Sequence, residues 1–245
     1  MIDHLIGPLI VFLLGLAPVA WGYVQQRKYD AMHATPTLGC AEIAAGGRLV
    51  TCEVKGTAVP GPQGTVQAPF SERPCVWFRA KVTVRYEHHE HRDGRRRTTT
   101  REKTVHDETH GSPFGIQDAG GQILVMHDRH PVDGAPRTVS HFEPAGHDVN
   151  LFGLHLRVNL SNVKGHRYEE WIVPAGQPMY ALGAAGPDGD RLVMRRPADD
   201  PFIISARSEE ELSKSLRINF YAGYILGGAL IAGSLIWLAI KTING

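Results

Sequence analysis

Cysteine is scarce: 245 residues hold only Cys40, Cys52 and Cys75, and no C-x-x-C pair exists among them. An odd number leaves at least one thiol without an intramolecular partner, which excludes a disulfide-dense scaffold. Net charge is almost absent as well. The 26 basic and 25 acidic residues leave a formal +1, so the chain lacks the global basic field of a dedicated nucleic-acid binder and no nucleic-acid partner is expected. Three catalytic signatures are also missing: the G-x-S-x-G elbow, the G-x-x-x-x-G-K-[ST] phosphate loop and the H-E-x-x-H metalloprotease helix. No catalytic residue and no cofactor is nominated, and the reading leans away from an enzyme.

Long apolar runs are present, although the mean hydropathy of -0.18 hides them. Leu5 to Val24 is a stretch of twenty residues without a formal charge, and Phe220 to Ile240 is another of twenty-one. Each reaches the roughly 20 residues, at about 1.5 Å rise, needed to cross a bilayer core. The first run has eleven Leu, Ile, Val or Phe residues and no basic head or A-x-A site, so it reads as a retained anchor rather than a cleaved signal. The second carries Gly223, Gly227, Gly228, Ala229 and Gly233, small-residue spacings that let helices approach closely. The partner is either the first span or, by self-association, a second copy; the plain alternative is that glycine is common in membrane helices. Arg27, Lys28, Lys214 and Arg217 flank the spans on the inner side of the sequence, against Lys241 on the other. The bias of cations toward the cytoplasm then predicts a cytoplasmic middle segment with both tails outside. Arginine outnumbers lysine 19 to 7, a composition that fits a GC-rich genome and a bacterial cell membrane.

The expected organisation is a transmembrane helix at 5–24, a β-rich domain at 25–207, a juxtamembrane helix at 208–219 and a second transmembrane helix at 220–240. The fold class is α+β, a mainly antiparallel β domain inserted between two transmembrane helices. Val50, Cys52 and Val54 alternate with polar neighbours, as one strand face does. Val76, Phe78, Ala80, Val82, Val84 and Tyr86 share one parity, with Arg79, Lys81, Thr83, Arg85 and Glu87 on the other, which predicts a long half-buried strand. Asp93-Gly94 then suits a two-residue type I′ turn, placing Arg85 opposite Glu102 and Val82 opposite Val105. Further strands are expected at Ile123 to Met126, Leu154 to Val158, Tyr168 to Val173, Met179 to Leu182, Leu192 to Met194 and Phe202 to Ile204. Ser208 and Glu211 form a capping box that opens the last helix.

The hairpin carries His88, His89 and His91, with His106 and His110 beyond it. His89 and His91 share a strand face and are the candidates for a metal site, but no carboxylate or cysteine completes a tetrahedral set, and a solvated polar hairpin is the preferred reading. Arg95, Arg96, Arg97, Arg101 and Lys103 form a basic cluster interleaved with Glu90, Asp93, Glu102, Asp107 and Glu108. Local neutralisation favours a solvated, charge-laced hairpin over contact with nucleic acid or anionic lipid. Cys52 and Cys75 read as small core residues; a Cys40 to Cys52 bridge requires an oxidising compartment.

Several segments resemble a known family in order. Val54-Lys55-Gly56-Thr57-Ala58, Ala68-Pro69-Phe70-Ser71 and Pro74-Cys75-Val76-Trp77-Phe78-Arg79 look like the opening of the GIDE domain. Phe114-Gly115-Ile116-Gln117-Asp118 with Gly121 and Ile123-Leu124-Val125 resembles its next strand pair. Tyr168 to Gly176 followed by Met179 to Gly183 resembles its later hairpin, and Pro201-Phe202-Ile203-Ile204-Ser205 its approach to the second span. The best-known relatives are mitochondrial outer-membrane E3 ubiquitin ligases in which a RING domain follows the second span. Here Lys241 to Gly245 follows it, and three scattered cysteines cannot furnish the ligands of two zinc ions, so ligase activity and zinc are not carried over. The relatives also place this domain away from the cytosol, against the cation bias here. The expected function is a non-catalytic, membrane-anchored sensor or scaffold that binds a protein or ligand at the bilayer surface. The alternative is a component of an E3-like modification pathway acting through a separate RING or effector subunit.

Overall fold

Two long helices grow from the apolar runs. Helix α1 spans Asp3–Ala34, running through Pro8 and Pro18 without a break and ten residues beyond Val24. The computed structural model describes residues 3–92, 95–145, 162–199 and 201–243, with the side chains of 3–5, 90–92 and 95–97 outside that description. A short helix α2 (Cys40–Gly46) follows, held at its start by one bond within its first turn and one from far along the chain. The Gly39 N–H donates to Glu42 Oε2 at 2.7 Å and the Cys40 N–H to Asp118 Oδ2 at 2.7 Å.

The strands follow as β1 (Val50–Val59), β2 (Val66–Gln67), β3 (Pro74–Cys75), β4 (Trp77–Arg92), β5 (Arg95–Thr109), β6 (Phe114–Asp118) and β7 (Gly121–Val125). After them come β8 (Arg137–Pro144), β9 (Val163–Val173), β10 (Pro178–Asp188), β11 (Arg191–Arg195) and β12 (Ile203–Ser205). Helix α3 (Glu209–Ile243) completes the order. Its start is as expected: Ser208 Oγ accepts the Glu211 N–H at 3.2 Å. The juxtamembrane segment and the second apolar run are one uninterrupted helix. The architecture is therefore α+β, with a mainly antiparallel β domain between two apolar helices.

Strands β1, β6, β7, β11 and β10 close into a small barrel because β10 pairs with β1 as well as with β11. All these pairs are antiparallel except β7 with β11. Closure leaves few unpaired edges, and β12 adds to β10 beside β11. Strand β10 shows how the barrel is seated. Met179, Ala181 and Ala185 point into the barrel core with Cys52, Val54, Trp77, Phe114, Ile116 and Met194. The alternate residues Tyr180 and Leu182 point out and pack with Met32 of α1, Ile203, and Leu212 and Leu216 of α3. One strand with period-2 alternation thus joins the β domain to the domain-facing ends of both apolar helices through a single apolar joint.

That joint contains a buried carboxyl group. Glu53 is 1% exposed; Thr37 Oγ1 donates to its Oε2 at 3.1 Å and the Tyr180 hydroxyl donates to Oε1. Beside it, Lys55 of β1 pairs with Glu209 in the first turn of α3. Burial pushes Glu53 above the usual carboxylate range, and the bonds from Tyr180 and Thr37 oppose this without cancelling it. At pH between the unfolded and the raised folded value the folded protein holds a proton that the unfolded chain has released, so this group's contribution to stability is lost as pH rises through its raised folded value. Thermal unfolding of the detergent-solubilised chain between pH 5 and 8 checks this, over a window of about 3 pH units that brackets the usual carboxylate range upward. Glu53→Gln is expected to gain stability relative to the parent as pH rises; parallel curves for the two proteins refute the assignment.

Strands β5, β4, β9 and β8 form a second, antiparallel sheet. Arg85 pairs with Glu102 as expected, at 2.8 Å. The other expected pairing is corrected: Val82 lies opposite His106, because a bulge between Val82 and Thr83 leaves Val105 unpaired in the ladder. Val105 instead packs against the apolar cluster of Ala68, Phe70, Cys75, Phe78, Ala80, Val82, Tyr168 and Ile172. The Asp93-Gly94 turn and the expected strand from Leu154 to Val158 lie outside the described residues.

Sheet and turn are tied by a second buried carboxylate. Glu170 is 0% exposed. Its Oε2 accepts the N–H groups of Phe70 (2.6 Å) and Ser71 (3.1 Å), and its Oε1 accepts the hydroxyls of Ser71 (2.5 Å) and Thr138 (2.7 Å). Four donors take the place of a cation.

Candidate functional site

A cleft of about 440 Å³ opens where α1, the barrel and the second sheet meet. Lys28 borders it from α1, Trp77 and Arg79 from β4, Trp171 from β9, and Phe202 and Arg207 from the segment that leads into α3. The loop from His130 to Ala135 forms the remaining wall. That loop is fixed to β12: the Asp133 N–H donates to the Ile204 carbonyl at 2.8 Å, and the Ala206 N–H to the Asp133 carbonyl at 2.8 Å. Gly134 sits at φ 66°, where a Cβ would also strike the Arg207 side chain at 2.3 Å. Glycine is what allows loop and arginine to share the wall.

Cations outnumber anions around this opening. Arg79 is held by two bonds to Asp107, at 2.8 and 2.7 Å, and lies 5.9 Å from the centre of the Trp171 ring. Those bonds hold the Asp107 carboxyl below the usual carboxylate range. Arg207 lies 3.5 Å from Asp133. Arg196 Nη2 donates to His130 Nδ1 at 3.0 Å, the only sense open to a guanidinium. The His130 and Phe202 ring centres lie 5.3 Å apart with the planes tilted by 44°. Burial pushes its pKa down, and the charges of Arg196 and Lys28 push it further, so at neutral pH it is an uncharged acceptor. Trp77 is 1% exposed, and its indole N–H has no acceptor among the described residues. A buried donor in that state costs about 1–3 kcal/mol unless something accepts from it.

Of the two sequence-nominated histidines, the described one, His89, does not lie here. His89 sits on the β4–β5 hairpin, with Nδ1 2.9 Å from Thr98 Oγ1 and Nε2 2.9 Å from Asn162 Nδ2. Both its ring nitrogens are occupied by neutral groups. The His91 side chain, like those of Arg95, Arg96 and Arg97, lies outside the described residues. His106 is 3.2 Å from Glu108 and His110 stacks on Phe78. Among the described residues no three His, Cys, Asp or Glu side chains converge on a metal position.

The thiols are all free and buried. Burial pushes Cys40 up to about 12, with the Asp118 charge adding to it. Burial likewise raises Cys52 and Cys75, each to about 11. Cys40 borders a second opening of about 500 Å³ beside α2, but a thiol with so small a thiolate fraction is not a nucleophile. Sequence reasoning used Lys28 only as an orientation signal and passed over Arg79, His130 and Arg207. Their positions are spread over some 180 residues, so no spacing connects them.

Both apolar helices meet the length and composition needed to cross a membrane. Most of their large side chains face outward, including Leu9, Leu13, Leu14, Ile225, Leu226 and Ile236; a core helix of a soluble protein would bury them. No curated protein and no solved structure matches the chain. The family model described as GIDE, E3 ubiquitin ligase, matches residues 83–238, from within β4 into the second apolar helix. That match covers more than half of the chain and brackets the second sheet, most of the barrel and α3, so the protein belongs to the GIDE family of E3 ubiquitin ligases.

Proposed function

We propose that this chain is a membrane-anchored GIDE-type module that binds a partner at the bilayer surface and performs no group transfer itself. The observation that carries the reading is the joint at the base of the β domain. Tyr180, Leu182 and Ile203 are buried against Met32, Leu212 and Leu216 of the two apolar helices, so the domain is held at a fixed attitude to the membrane rather than on a tether. Such a geometry suits presentation of a surface at constant height. The three buried thiols, with pKa values raised to about 11 or 12, do not suit a thioester carrier of ubiquitin.

The flanking cations Arg27, Lys28, Lys214 and Arg217 support a cytoplasmic domain, and the excess of arginine over lysine supports a bacterial cell membrane. Thr100 is exposed on β5, and a cysteine placed there is the only thiol expected to react with a membrane-impermeant maleimide. Labelling after lysis but not in intact cells is the expected result; labelling in intact cells reverses the orientation. The absence of group transfer is checked with the full-length chain in detergent, ATP, ubiquitin, and ubiquitin-activating and ubiquitin-conjugating enzymes. No ubiquitin conjugates above the background without the chain are expected, and conjugates formed by the chain alone overturn the reading. The family's E3 designation favours a second reading, in which the module serves a modification pathway through a separate RING-bearing subunit. Stable co-purification of such a subunit, with conjugation restored by it, distinguishes the two.

A further inference from the structure

Lys28 lies four residues after Val24, the end of the first apolar run, and the helix is continuous between them. At about 1.5 Å per residue its backbone stands about 6 Å beyond that run, the depth of the phospholipid headgroups when the run lies in lipid. The cleft that Lys28 borders therefore opens at headgroup height. Its charges are Lys28, Arg79 and Arg207 against Asp133, and Arg79 is already matched by Asp107. Lys28 has no ion-pair partner among the described residues, and Arg207 stands 3.5 Å from Asp133, so two cations face the opening with one carboxylate between them. Trp171 and Phe202 supply apolar wall. Cationic rim and aromatic wall together match a group with several acceptor oxygens, a negative charge and an attached apolar chain.

We propose that this cleft binds the phosphate headgroup of an anionic phospholipid from the adjacent leaflet, with Lys28 and Arg207 meeting its oxygens and the aromatic wall taking the start of its acyl chains. The inference rests on the reading that the apolar helices lie in a bilayer, and it names the ligand chemistry of the module proposed above. Inorganic phosphate shares the oxygens but not the acyl chain, and phosphatidylcholine shares the chain but not the net charge. Two of the four tryptophans, Trp77 and Trp171, border the cleft, while Trp21 and Trp237 lie on the apolar helices. Intrinsic fluorescence therefore reports occupancy over a constant background.

The experiment uses the full-length chain in a non-ionic detergent, titrated separately with dihexanoyl phosphatidic acid, dihexanoyl phosphatidylcholine and sodium phosphate. Saturable binding of the phosphatidic acid is expected, at least about tenfold tighter than the other two. Lys28→Gln with Arg207→Gln should weaken it by about tenfold or more, and Lys28→Arg should retain it. Lys28 is a half-buried helix residue outside every apolar cluster, so Lys28→Gln alone keeps the test valid where the double variant fails to fold. Equal binding of phosphatidylcholine overturns the proposal as detergent-like partition. Inorganic phosphate binding as tightly as the lipid overturns the lipid assignment in favour of a soluble phosphate ester, and unchanged affinity in Lys28→Gln removes the cleft as the site. None of these outcomes bears on the orientation or on the absence of group transfer, which the thiol labelling and ubiquitin assays decide separately.

Discussion

Glu170→Ala is expected to destabilise the β domain by about 2–5 kcal/mol, the largest effect of any single side-chain truncation here. The carboxylate is fully buried and accepts from two backbone N–H groups and two hydroxyls. Its removal takes away the carboxylate that the Phe70 and Ser71 N–H groups and the Ser71 and Thr138 hydroxyls donate to, and a buried donor that loses its acceptor costs about 1–3 kcal/mol. The turn from Phe70 to Ser71 is the lid over the apolar cluster that contains Cys75, so the loss has a local reporter. Cys75 is 0% exposed, with its pKa pushed up to about 11 by burial and then by the Glu170 charge. In Glu170→Ala its reaction with an aromatic disulfide reagent should accelerate well before global unfolding. Glu170→Gln separates charge from bonding. An amide oxygen can keep both backbone N–H groups while its NH2 donates to the two hydroxyls, which accept as readily as they donate; the expected loss is about 1 kcal/mol. Equal loss in both variants contradicts the hydrogen-bond account, and unchanged Cys75 reactivity in Glu170→Ala removes the turn from it.

What sequence pattern could reveal was decided by how local each interaction is. The two apolar runs and the β4–β5 hairpin are written in neighbouring residues, as uncharged length and as period-2 alternation, and both stand in the structure. The hairpin register was legible up to Arg85 and Glu102, but the bulge at Val82 answers to packing of Val105 against β9 and the Phe70 turn. Strand β8 shows no alternation because it is a sheet edge with mostly exposed or half-buried residues. Helix α2 depends on Asp118, which is 78 residues away from the N–H it binds. Glu53 lies between Cys52 and Val54 on β1, where alternation assigns it to solvent, and it is buried because the helical joint covers that outer face. Glu170 shares its strand face with Tyr168 and Ile172, and the donors that satisfy it there come from the Phe70 turn, a hundred residues earlier in the chain. The cleft was illegible for the same reason, as Lys28, Trp77, His130, Trp171 and Arg207 meet only after three elements pack together.

Whether the glycines of the second apolar run serve the first run or merely reflect membrane composition is settled in the structure by position, and Gly227→Leu is the substitution that exploits it. A Cβ at Gly227 would stand 2.4 Å from Val19 Cγ2, 2.7 Å from the Gly15 carbonyl oxygen and 3.0 Å from the Val19 nitrogen. Gly223 meets the Pro18 carbonyl oxygen and Gly22 in the same way, at 2.7 and 2.8 Å. These are largely backbone contacts that no rotamer change relieves, so a side chain at 227 must push α1 and α3 apart. Gly228 is the matched control, since a Cβ there meets nothing within 4 Å. The Tyr224 hydroxyl donates to Gln26 Oε1 at 2.5 Å near the β-domain end of the same seam, which makes that pair a local gauge of separation. In membranes carrying Gln26→Cys with Tyr224→Cys, a short bismaleimide should link the two positions, the native thiols being buried and slow. Adding Gly227→Leu should reduce the linked fraction severalfold and lower stability in detergent by about 1–3 kcal/mol or more, while Gly228→Leu leaves both unchanged. Because the joint of Met32, Tyr180, Leu212 and Leu216 bridges both helices, separation at Gly227 should also loosen the β domain from its base, read as greater protease sensitivity between Ala34 and Cys40. Equal behaviour of the two leucine variants would mean that α1 and α3 do not share this seam in the membrane.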